Sequence, residues 1–328
     1  MATGSLPGAA FGVATVSEII AVGAEGFRQL NPTPLPMMAD TVFDLASLTK
    51  VVATTAITMR LLERGLLRLD DLVSRFLPGN FGEVRLSHLL THTSGFLSWM
   101  DLTAHPKPEE HVAVISQSSR LFEPGHQVLY SDLNYILLGH ILQQVTALPL
   151  DRLFIKEVAS PLGLAHMGYL PTDHSNMAAT ELDTKTGRYW CGVVHDENAR
   201  AAGGVSGHAG LFGTVADLLR FGQAILDPQG WLSGPTIAAW LLPRTQGIPG
   251  ELRAYGFQKP HPLSSAGDLM SPQAVGHTGF TGTSLWVDPQ YGVAMVLLTN
   301  RVHLGREANA PIRLRPIFHN MTLAGLRP

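Results

Sequence analysis

The sequence contains almost no cysteine and little charge. Of its 328 residues, one is a cysteine, Cys191, and 15% are Asp, Glu, Lys or Arg. A single thiol cannot form an internal disulfide, so the fold depends on packing alone and is compatible with an oxidising or a reducing compartment. Because Cys191 lies beside Trp190 with no His-and-Asn arrangement attached, we interpret it as an inert small side chain rather than a catalytic thiol.

The sequence also lacks an excess or a cluster of basic residues. The formal net charge is −3, and the Lys and Arg residues are scattered along the chain. This pattern argues against nucleic acid or an anionic membrane as the main partner. A small or neutral substrate fits the composition better, and no feature of the sequence indicates an oligomeric state.

Long hydrophobic runs are absent as well. No apolar stretch reaches the roughly 18 residues that a membrane-spanning helix needs, and residues 1–26 lack a basic region ahead of an apolar one. We therefore expect a soluble protein without a membrane span or a signal peptide. It would be cytoplasmic as the sequence stands, and periplasmic or secreted if an export segment was removed.

Strand patterns occur at both ends of the sequence, and helical patterns fill the middle. Residues 9–16 and 19–22 predict a hairpin, and the run SLWVDPQYGVAMVLLTN predicts two late strands around a turn at Asp288 and Pro289. The sequence therefore predicts an α/β (α+β) fold, in which helices flank a central antiparallel sheet. The predicted fold class includes an inserted all-helical domain. Residues 1–70 and 203–328 would form a discontinuous α/β domain, and residues 71–202 a mainly helical domain.

Ser47 and Lys50 lie three residues apart at the start of a helix predicted over residues 46–67. This spacing puts the hydroxyl and the ammonium on one helix face, with Cβ atoms about 5–6 Å apart. A serine hydroxyl needs a base to become a nucleophile, and a lysine can serve if burial and positive neighbours lower its pKa. The backbone N–H groups at the helix N-terminus favour a developing oxyanion. Taken alone, the pair also fits a helix cap followed by a solvated lysine.

Two further patterns follow downstream. Tyr130 and Asp132 precede or open a predicted helix, where a tyrosine hydroxyl could relay protons between nucleophile and leaving group. His277-Thr278-Gly279 precedes the late strands and would form a sheet strand facing the substrate. Taken singly, a tyrosine before a helix cap is usually a packing residue, and a lone His-Thr-Gly means little.

Together, Ser47-x-x-Lys50, Tyr130-x-Asp132 and His277-Thr278-Gly279 resemble, in order and spacing, the active-site motifs of one superfamily. Its members are class C β-lactamases, serine D-alanyl-D-alanine carboxypeptidases and family VIII esterases. Three supporting segments also look like that superfamily: LLTHTSG at residues 89–95, GVSGHAGLFGT at residues 204–214 and LLTNR at residues 297–301. The VHDENA stretch at residues 194–199 is similar to the penicillin-binding-protein branch. The resemblance covers nearly the whole chain and implies a β-lactamase/transpeptidase-like fold with the active site between two domains.

The resemblance implies a role for each matched residue. Ser47 would attack the substrate carbonyl, and Lys50 and Tyr130 would share general-base and general-acid duty. The backbone N–H groups of Ser47 and Phe280 would form the oxyanion hole. Asp132 would contact the substrate amide or orient Lys50.

The reaction implied is hydrolysis through an acyl-enzyme, without a metal or an organic cofactor. The substrate would be a small molecule or derived from peptidoglycan, with a D-alanyl peptide or a β-lactam amide as acyl donor. A small carboxylic ester is the alternative donor. The alternative outside the enzymes is an inactive module that binds penicillin or peptidoglycan.

Two departures from the superfamily pattern bear on the substrate. Asp132 stands where Asn is more common, and an ionised carboxylate can only accept hydrogen bonds, which weakens the expectation of amide recognition. His277 stands where lactamases often have Lys, and a histidine is only partly cationic near neutral pH. A substrate carboxylate would then be held less strongly unless Arg301 contributes.

Three other patterns are set aside. Lys185-Thr186-Gly187 spells the lactamase third motif, but Asp183 and Gly187 bracket what looks like a hairpin turn without the late strands beyond it. His88 and His92 have the i, i+4 spacing of zinc ligands, but no Glu follows His88, so a packing or capping role is preferred. No serine lies in the Gly-x-Ser-x-Gly frame of the α/β-hydrolases.

Overall fold

A six-stranded antiparallel sheet forms the centre of the computed structural model, which describes residues 6–227, 230–262 and 264–326. The limits of the predicted discontinuous domain at residues 1 and 328 lie outside the described residues. The strands are, in spatial order, β3 (Leu35–Pro36), β2 (Ile19–Gln29), β1 (Gly8–Thr15), β11 (Val293–Thr299), β10 (Ser284–Asp288) and β9 (Val275–Thr278). Strands from the two ends of the chain pair at the middle of the sheet, with Ala9 opposite Thr299. The predicted early hairpin and late strand pair are therefore confirmed.

Helices cover both faces of this sheet. The helix α8 (Val215–Leu226) packs on β1, β10 and β11, whereas α10 (Ala310–Gly325) brings Phe318 to the opposite face, against Phe11. All of β11 is buried as a result, and its sequence VAMVLLT is apolar at nearly every position instead of alternating. No helix in the described stretches is long and apolar enough to cross a bilayer.

The stretch between the two halves of the sheet is mainly helical. Its α-helices are α2 (Leu86–Thr91), α3 (Pro108–Gln117), α4 (Asp132–Thr146), α5 (Leu150–Phe154), α6 (Ser160–Leu162) and α7 (Glu197–Ala201). Three short strands also lie within residues 71–202, namely β5 (Gly168–Tyr169), β6 (Leu182–Asp183) and β7 (Arg188–Tyr189). The prediction of an all-helical stretch is corrected there, because β5 adds to a small sheet with β4 (Phe43–Asp44) and β8 (Leu211–Gly213). The segment 71–202 is thus tied to the rest of the chain by backbone pairing.

The helix that follows Ser47 differs from its prediction in length and in winding. It begins at Leu48, is π-helical over Lys50–Thr55, and continues as α1 (Ala56–Glu63), so it ends four residues before the predicted Leu67. The buried hydroxyl of Thr54 donates to the backbone oxygen of Gly207, and that of Thr55 donates to the backbone oxygen of Lys50. Single-turn π segments of this kind occur frequently at functional sites.

Close packing of α8 on the sheet supplies a stability test. A Cβ on Gly222 would lie 2.6 Å from the Cβ of Ala294 in β11, so Gly222→Ala should force the helix from the sheet. We expect the free energy of unfolding to fall by about 1–3 kcal/mol, measured by urea titration. Gly325→Ala is the control, because nothing lies within 4 Å of its added Cβ, and its effect should stay within about 0.5 kcal/mol. Equal unfolding curves for the two variants would contradict this account of the packing.

Candidate active site

Ser47 lies in the turn that precedes the π-helical segment, and its position is fixed from outside that turn. Ala46 has a φ of 46°, a left-handed conformation that side-chain-bearing residues rarely adopt. The buried carboxylate of Asp44 holds this turn, since it accepts the N–H of Ala46 at 2.8 Å and that of His195 at 2.7 Å. Ser47 itself is only partly buried. Its hydroxyl is therefore presented to the surface by a rigid turn.

Lys50 is fully buried and surrounded by three acceptors. Its Nζ donates to Ser47 Oγ at 3.0 Å and to the backbone oxygen of His208 at 3.0 Å, and lies 2.7 Å from the Asp132 carboxylate. Burial alone would lower the pKa of Lys50, but the charge of Asp132 outweighs it and raises that pKa above its usual value. The lowered pKa that would make a lysine a ready base is thus not what this geometry gives. In the resting site Lys50 is an ammonium that orients the serine hydroxyl.

Tyr130 is held between two histidines beside Lys50. Its ring centroid lies 4.6 Å from that of His92 and 5.9 Å from that of His277, and 5.0 Å from Lys50 Nζ. Burial raises the pKa of Tyr130, while the Lys50 charge and hydrogen bonds to Lys50 and Ser47 act in the opposite direction. The phenol is therefore protonated at neutral pH and can donate a proton.

The third motif lies on the edge strand β9, beside the serine turn. His277 pairs with Leu285, and Thr278 with Ser284 of β10. Gly279 follows, where an added Cβ would lie 2.5 Å from the backbone oxygen of Leu45. Only glycine allows the end of this strand to approach the Ser47 turn so closely.

His277 is neutral in this structure. Its Nδ1 lies 2.8 Å from the Thr278 oxygen, a contact in which the nitrogen donates, and its Nε2 is buried without a hydrogen-bond partner among the described residues. Burial, followed by the charges of Arg253 and Lys50, lowers the pKa of His277 well below its usual range. The expected partial positive charge at His277 is therefore replaced by a neutral imidazole.

Two backbone N–H groups are available for an oxyanion. Within the described chain, neither the N–H of Ser47 nor that of Phe280 donates a hydrogen bond to another group. Phe280 is about half exposed, with its ring against the guanidinium of Arg301 at 4.6 Å. The Arg301 guanidinium in turn donates to the backbone oxygens of Phe280, Arg306 and Ala308. Arg301 thus orders the loop that carries the Phe280 N–H.

Arg253 is a site residue that the sequence analysis missed. It is 1% exposed, its Cζ lies 5.3 Å from the Tyr130 ring centroid, and its Nη2 bonds to Glu251. Its Nε and Nη1 are buried without a hydrogen-bond partner in the described part of the chain. Arg253 reaches the site through a bridge to Gln258, which pairs with Gly276 of β9. No motif or spacing in ELRAYGFQKP marks this residue, because the contact depends on two strand-like bridges.

Two cavities meet at Ser47, Tyr130 and Phe280. The first, of about 440 Å³, is also lined by Arg253, Arg301 and Arg315, together with the third motif. The second, of about 620 Å³, is lined by aromatic and acidic side chains: Trp99, Asp101, Asp132, Asp196 and Glu197. The structure thus brings all nine predicted site residues to one place, with Lys50 directly behind the serine.

Of the alternatives set aside from sequence, the Lys-Thr-Gly segment lines neither cavity, whereas His92 packs on Tyr130. Lys185 and Thr186 are exposed in the turn between β6 and β7, where the Asp183 carboxylate accepts from both residues. His88 Nδ1 accepts the Arg85 N–H, and His92 Nδ1 accepts that of Ser131. In the described residues, no three His, Cys, Asp or Glu side chains are grouped to hold a metal ion. Burial raises the pKa of the Cys191 thiol, which makes its thiolate scarce.

Known proteins are similar to this chain along nearly its whole length. A family model described as Beta-lactamase matches residues 1–316. A protein of Salmonella heidelberg named "Putative D-alanyl-D-alanine carboxypeptidase" is 32% identical over 345 residues, covering 90% of this chain and 76% of the relative. The solved structure of EstCE1, a hydrolase with promiscuous acyltransferase activity, is 26% identical with a TM-score of 0.77 and covers 96% of this chain and 94% of that one. The octameric penicillin-binding protein homologue of Pyrococcus abyssi has the same fold, at 23% identity, a TM-score of 0.77, and coverage of 98% and 74%.

The Lys50–Asp132 pair predicts a shift in pH dependence. Asp132→Asn removes the carboxylate that raises the pKa of Lys50, so burial then lowers that pKa and more Lys50 is a free amine at any given pH. We expect the acid limb of the pH–rate profile to move to lower pH, where the rate is that of Ser47 acylation by a fluorophosphonate. The rate at each pH is measured by intact-mass spectrometry over time. Asp101→Asn, an exposed carboxylate in the same cavity, should leave the limb in place. A limb that stays put or moves to higher pH in Asp132→Asn would contradict the ion-pair account.

Proposed function

The chain belongs to the beta-lactamase family of serine hydrolases, and on that premise we propose that it cleaves D-alanyl peptides or β-lactam amides through an acyl-enzyme on Ser47. The observation that carries this proposal is the Arg253 guanidinium, which is buried in the cavity that contains Ser47 and has two nitrogens without a hydrogen-bond partner among the described residues. A buried cation with unused donors favours an anionic ligand, and a guanidinium suits a carboxylate. D-alanyl peptides and β-lactams both carry a carboxylate beside the bond to be cleaved. Simple neutral esters do not.

In the proposed reaction, Ser47 Oγ attacks the acyl carbon and its proton passes to Lys50. Lys50 can accept it as the free amine, the form that the Asp132 carboxylate at 2.7 Å disfavours. The C–N bond then breaks, and the leaving amine takes the Tyr130 proton. Lys50 then re-protonates Tyr130 and is a free amine again, and water releases the acyl group by the same steps in reverse. The N–H groups of Ser47 and Phe280 hold the oxyanion in each half-reaction.

The neutral His277 has a different task in this proposal. Beside Arg253 its imidazole adds no charge of its own. Because Nδ1 donates to the Thr278 oxygen, Nε2 carries no hydrogen and accepts one hydrogen bond from the leaving group. Arg253 supplies the positive charge that a lysine in the third motif supplies in lactamases. The leaving group would therefore lie in the smaller cavity and the acyl group in the larger one.

A second candidate function is a carboxylesterase. It is favoured by Asp132, because its carboxylate is engaged by Lys50 and offers no donor to a substrate amide. The similarity to EstCE1 at 26% identity also supports this candidate. An inactive binding module on the same fold is the remaining alternative.

Covalent labelling tests the nucleophile and separates these candidates. The wild type and Ser47→Ala are incubated with a fluorescent penicillin and, separately, with a fluorophosphonate, and adducts are mapped by mass spectrometry. We expect both reagents to label the wild type on the Ser47 peptide and to leave Ser47→Ala unlabelled. Labelling by the fluorophosphonate alone would favour the esterase. Absence of any label on the wild type would favour the binding module.

Removing Arg253 tests the class of substrate. Arg253→Met keeps the length of the side chain and removes its donors, so kcat/KM for a carboxylate-bearing D-alanyl ester should fall about 10- to 100-fold. A matched ester without the carboxylate should lose much less, and the ratio of the two substrates is the measurement. Arg313→Met removes an exposed arginine outside the cavity and should leave the ratio unchanged. Equal losses for both substrates in Arg253→Met would overturn the carboxylate assignment.

A further inference from the structure

Two sequence segments that the proposed reaction leaves unused meet directly behind Lys50. They are VHDENA at residues 194–199 and GVSGHAGLFGT at residues 204–214. His208 of the second donates its Nε2 hydrogen to the Asp196 carboxylate of the first at 2.7 Å, and its Nδ1 bonds to Ser206 Oγ at 2.8 Å. His208 is 1% exposed. Both nitrogens of a buried ring are therefore fixed, which leaves the ring one orientation.

The backbone around His208 is attached to the helix that carries Lys50. The His208 carbonyl accepts from Lys50 Nζ at 3.0 Å, and the Gly207 carbonyl accepts from Thr54 Oγ1 at 2.6 Å. On its other side the loop packs closely on α4, since a Cβ added to Gly207 would lie only 2.0 Å from the backbone oxygen of Tyr135. The loop thus lies between the lysine helix and the helix that begins with Asp132. A displacement of this loop would move one of the three acceptors of the ammonium.

Asp196 connects this loop to the substrate cavity. Its Oδ1 accepts from His208 and, at 2.8 Å, from the Ala199 N–H as the cap of α7. The residue also lines the larger cavity with Ser47 and Tyr130. Burial alone would raise the pKa of Asp196, but His208, the Ala199 N–H and the Lys50 charge lower it. Asp196 is thus a second carboxylate, after Asp132, whose charge acts on Lys50.

We propose that Asp196 and His208 are positioning residues for Lys50: the fixed His208 ring sets the carbonyl that accepts from Nζ, and Asp196 fixes the ring and adds negative charge. This inference rests on the proposed acylation of Ser47. The two residues act on Lys50 in different ways. His208 acts through geometry, whereas Asp196 acts through geometry and charge.

Acylation kinetics with a fluorophosphonate test the pair. His208→Gln retains the Asp196 charge but loses the two-point fixation, so the maximal acylation rate should fall about 10- to 100-fold, with an unchanged concentration for half-maximal rate. The acid limb of its pH profile should stay in place. Asp196→Asn keeps a good helix cap but loses the charge, so its acid limb should move to lower pH. Ser206→Ala, which frees only Nδ1, should lose less rate than His208→Gln.

The matched control is His303→Gln. His303 is also a buried histidine whose two ring nitrogens both make hydrogen bonds. Its Nδ1 bonds to the backbone oxygen of Thr180, and its Nε2 accepts the Leu30 N–H. In the described part of the chain, neither partner is hydrogen-bonded to Lys50. Its acylation rate should equal that of the wild type. His208→Gln reacting at the wild-type rate, or losing no more than His303→Gln, would overturn the positioning role. A wild type that forms no adduct at Ser47 would instead remove the proposed function itself.

Discussion

The buried charge of Lys50 is the constraint on which the rest of the site depends. An ammonium that is fully buried cannot be hydrated, so every N–H must find an acceptor in the protein. The acceptors come from three separate parts of the chain: the Ser47 turn, the start of α4 at Asp132, and the loop at His208. An uncompensated buried charge costs about 3–5 kcal/mol. The ion pair with Asp132 therefore holds the start of α4 beside the Ser47 turn, and it also keeps Lys50 protonated in the resting site.

Positive charge on the other side of Tyr130 is arranged differently. Arg253 is close enough to His92 and His277 to lower the pKa of both, after burial. The two imidazoles are therefore neutral, and the positive charge in the smaller cavity comes from Arg253, Arg301 and Arg315. Anion binding in this cavity should therefore not depend on histidine protonation. The third motif thus contributes a neutral imidazole at His277, and the positive charge beside it comes from outside the motif.

Much of this site follows from sequence because its motifs are local. Ser47 immediately precedes the helix that carries Lys50, and Tyr130 and Asp132 flank a helix start, so spacing alone fixes how each pair is oriented. The strands at both chain ends were also predictable, since their apolar runs and the turn at Asp288 are strong local patterns.

The features that escaped prediction are non-local. The Lys50 pKa depends on the distant Asp132, and the position of its Nζ depends on the His208 carbonyl. Arg253 enters the site through a bridge to Gln258, which pairs with Gly276. The π-helical winding over Lys50–Thr55 is similar, because Thr54 bonds to the loop at Gly207. Each of these contacts includes two segments that are far apart in the sequence, so a short window around Lys50, Thr54 or Gly276 does not contain the partner.

The two cavities divide the proposed substrate between different parts of the chain. Residues from Glu251 to Arg315 build most of the smaller, arginine-lined cavity, whereas residues 99–132 and 195–209 build most of the larger one. Ser47, Tyr130 and Phe280 belong to both. In the proposed reaction, the leaving group is therefore selected by the C-terminal part of the chain and the acyl group by the helical stretch. Since Asp196 lies in the second of these and acts on Lys50 through His208, a group bound on the acyl side is in contact with the network that positions the catalytic lysine.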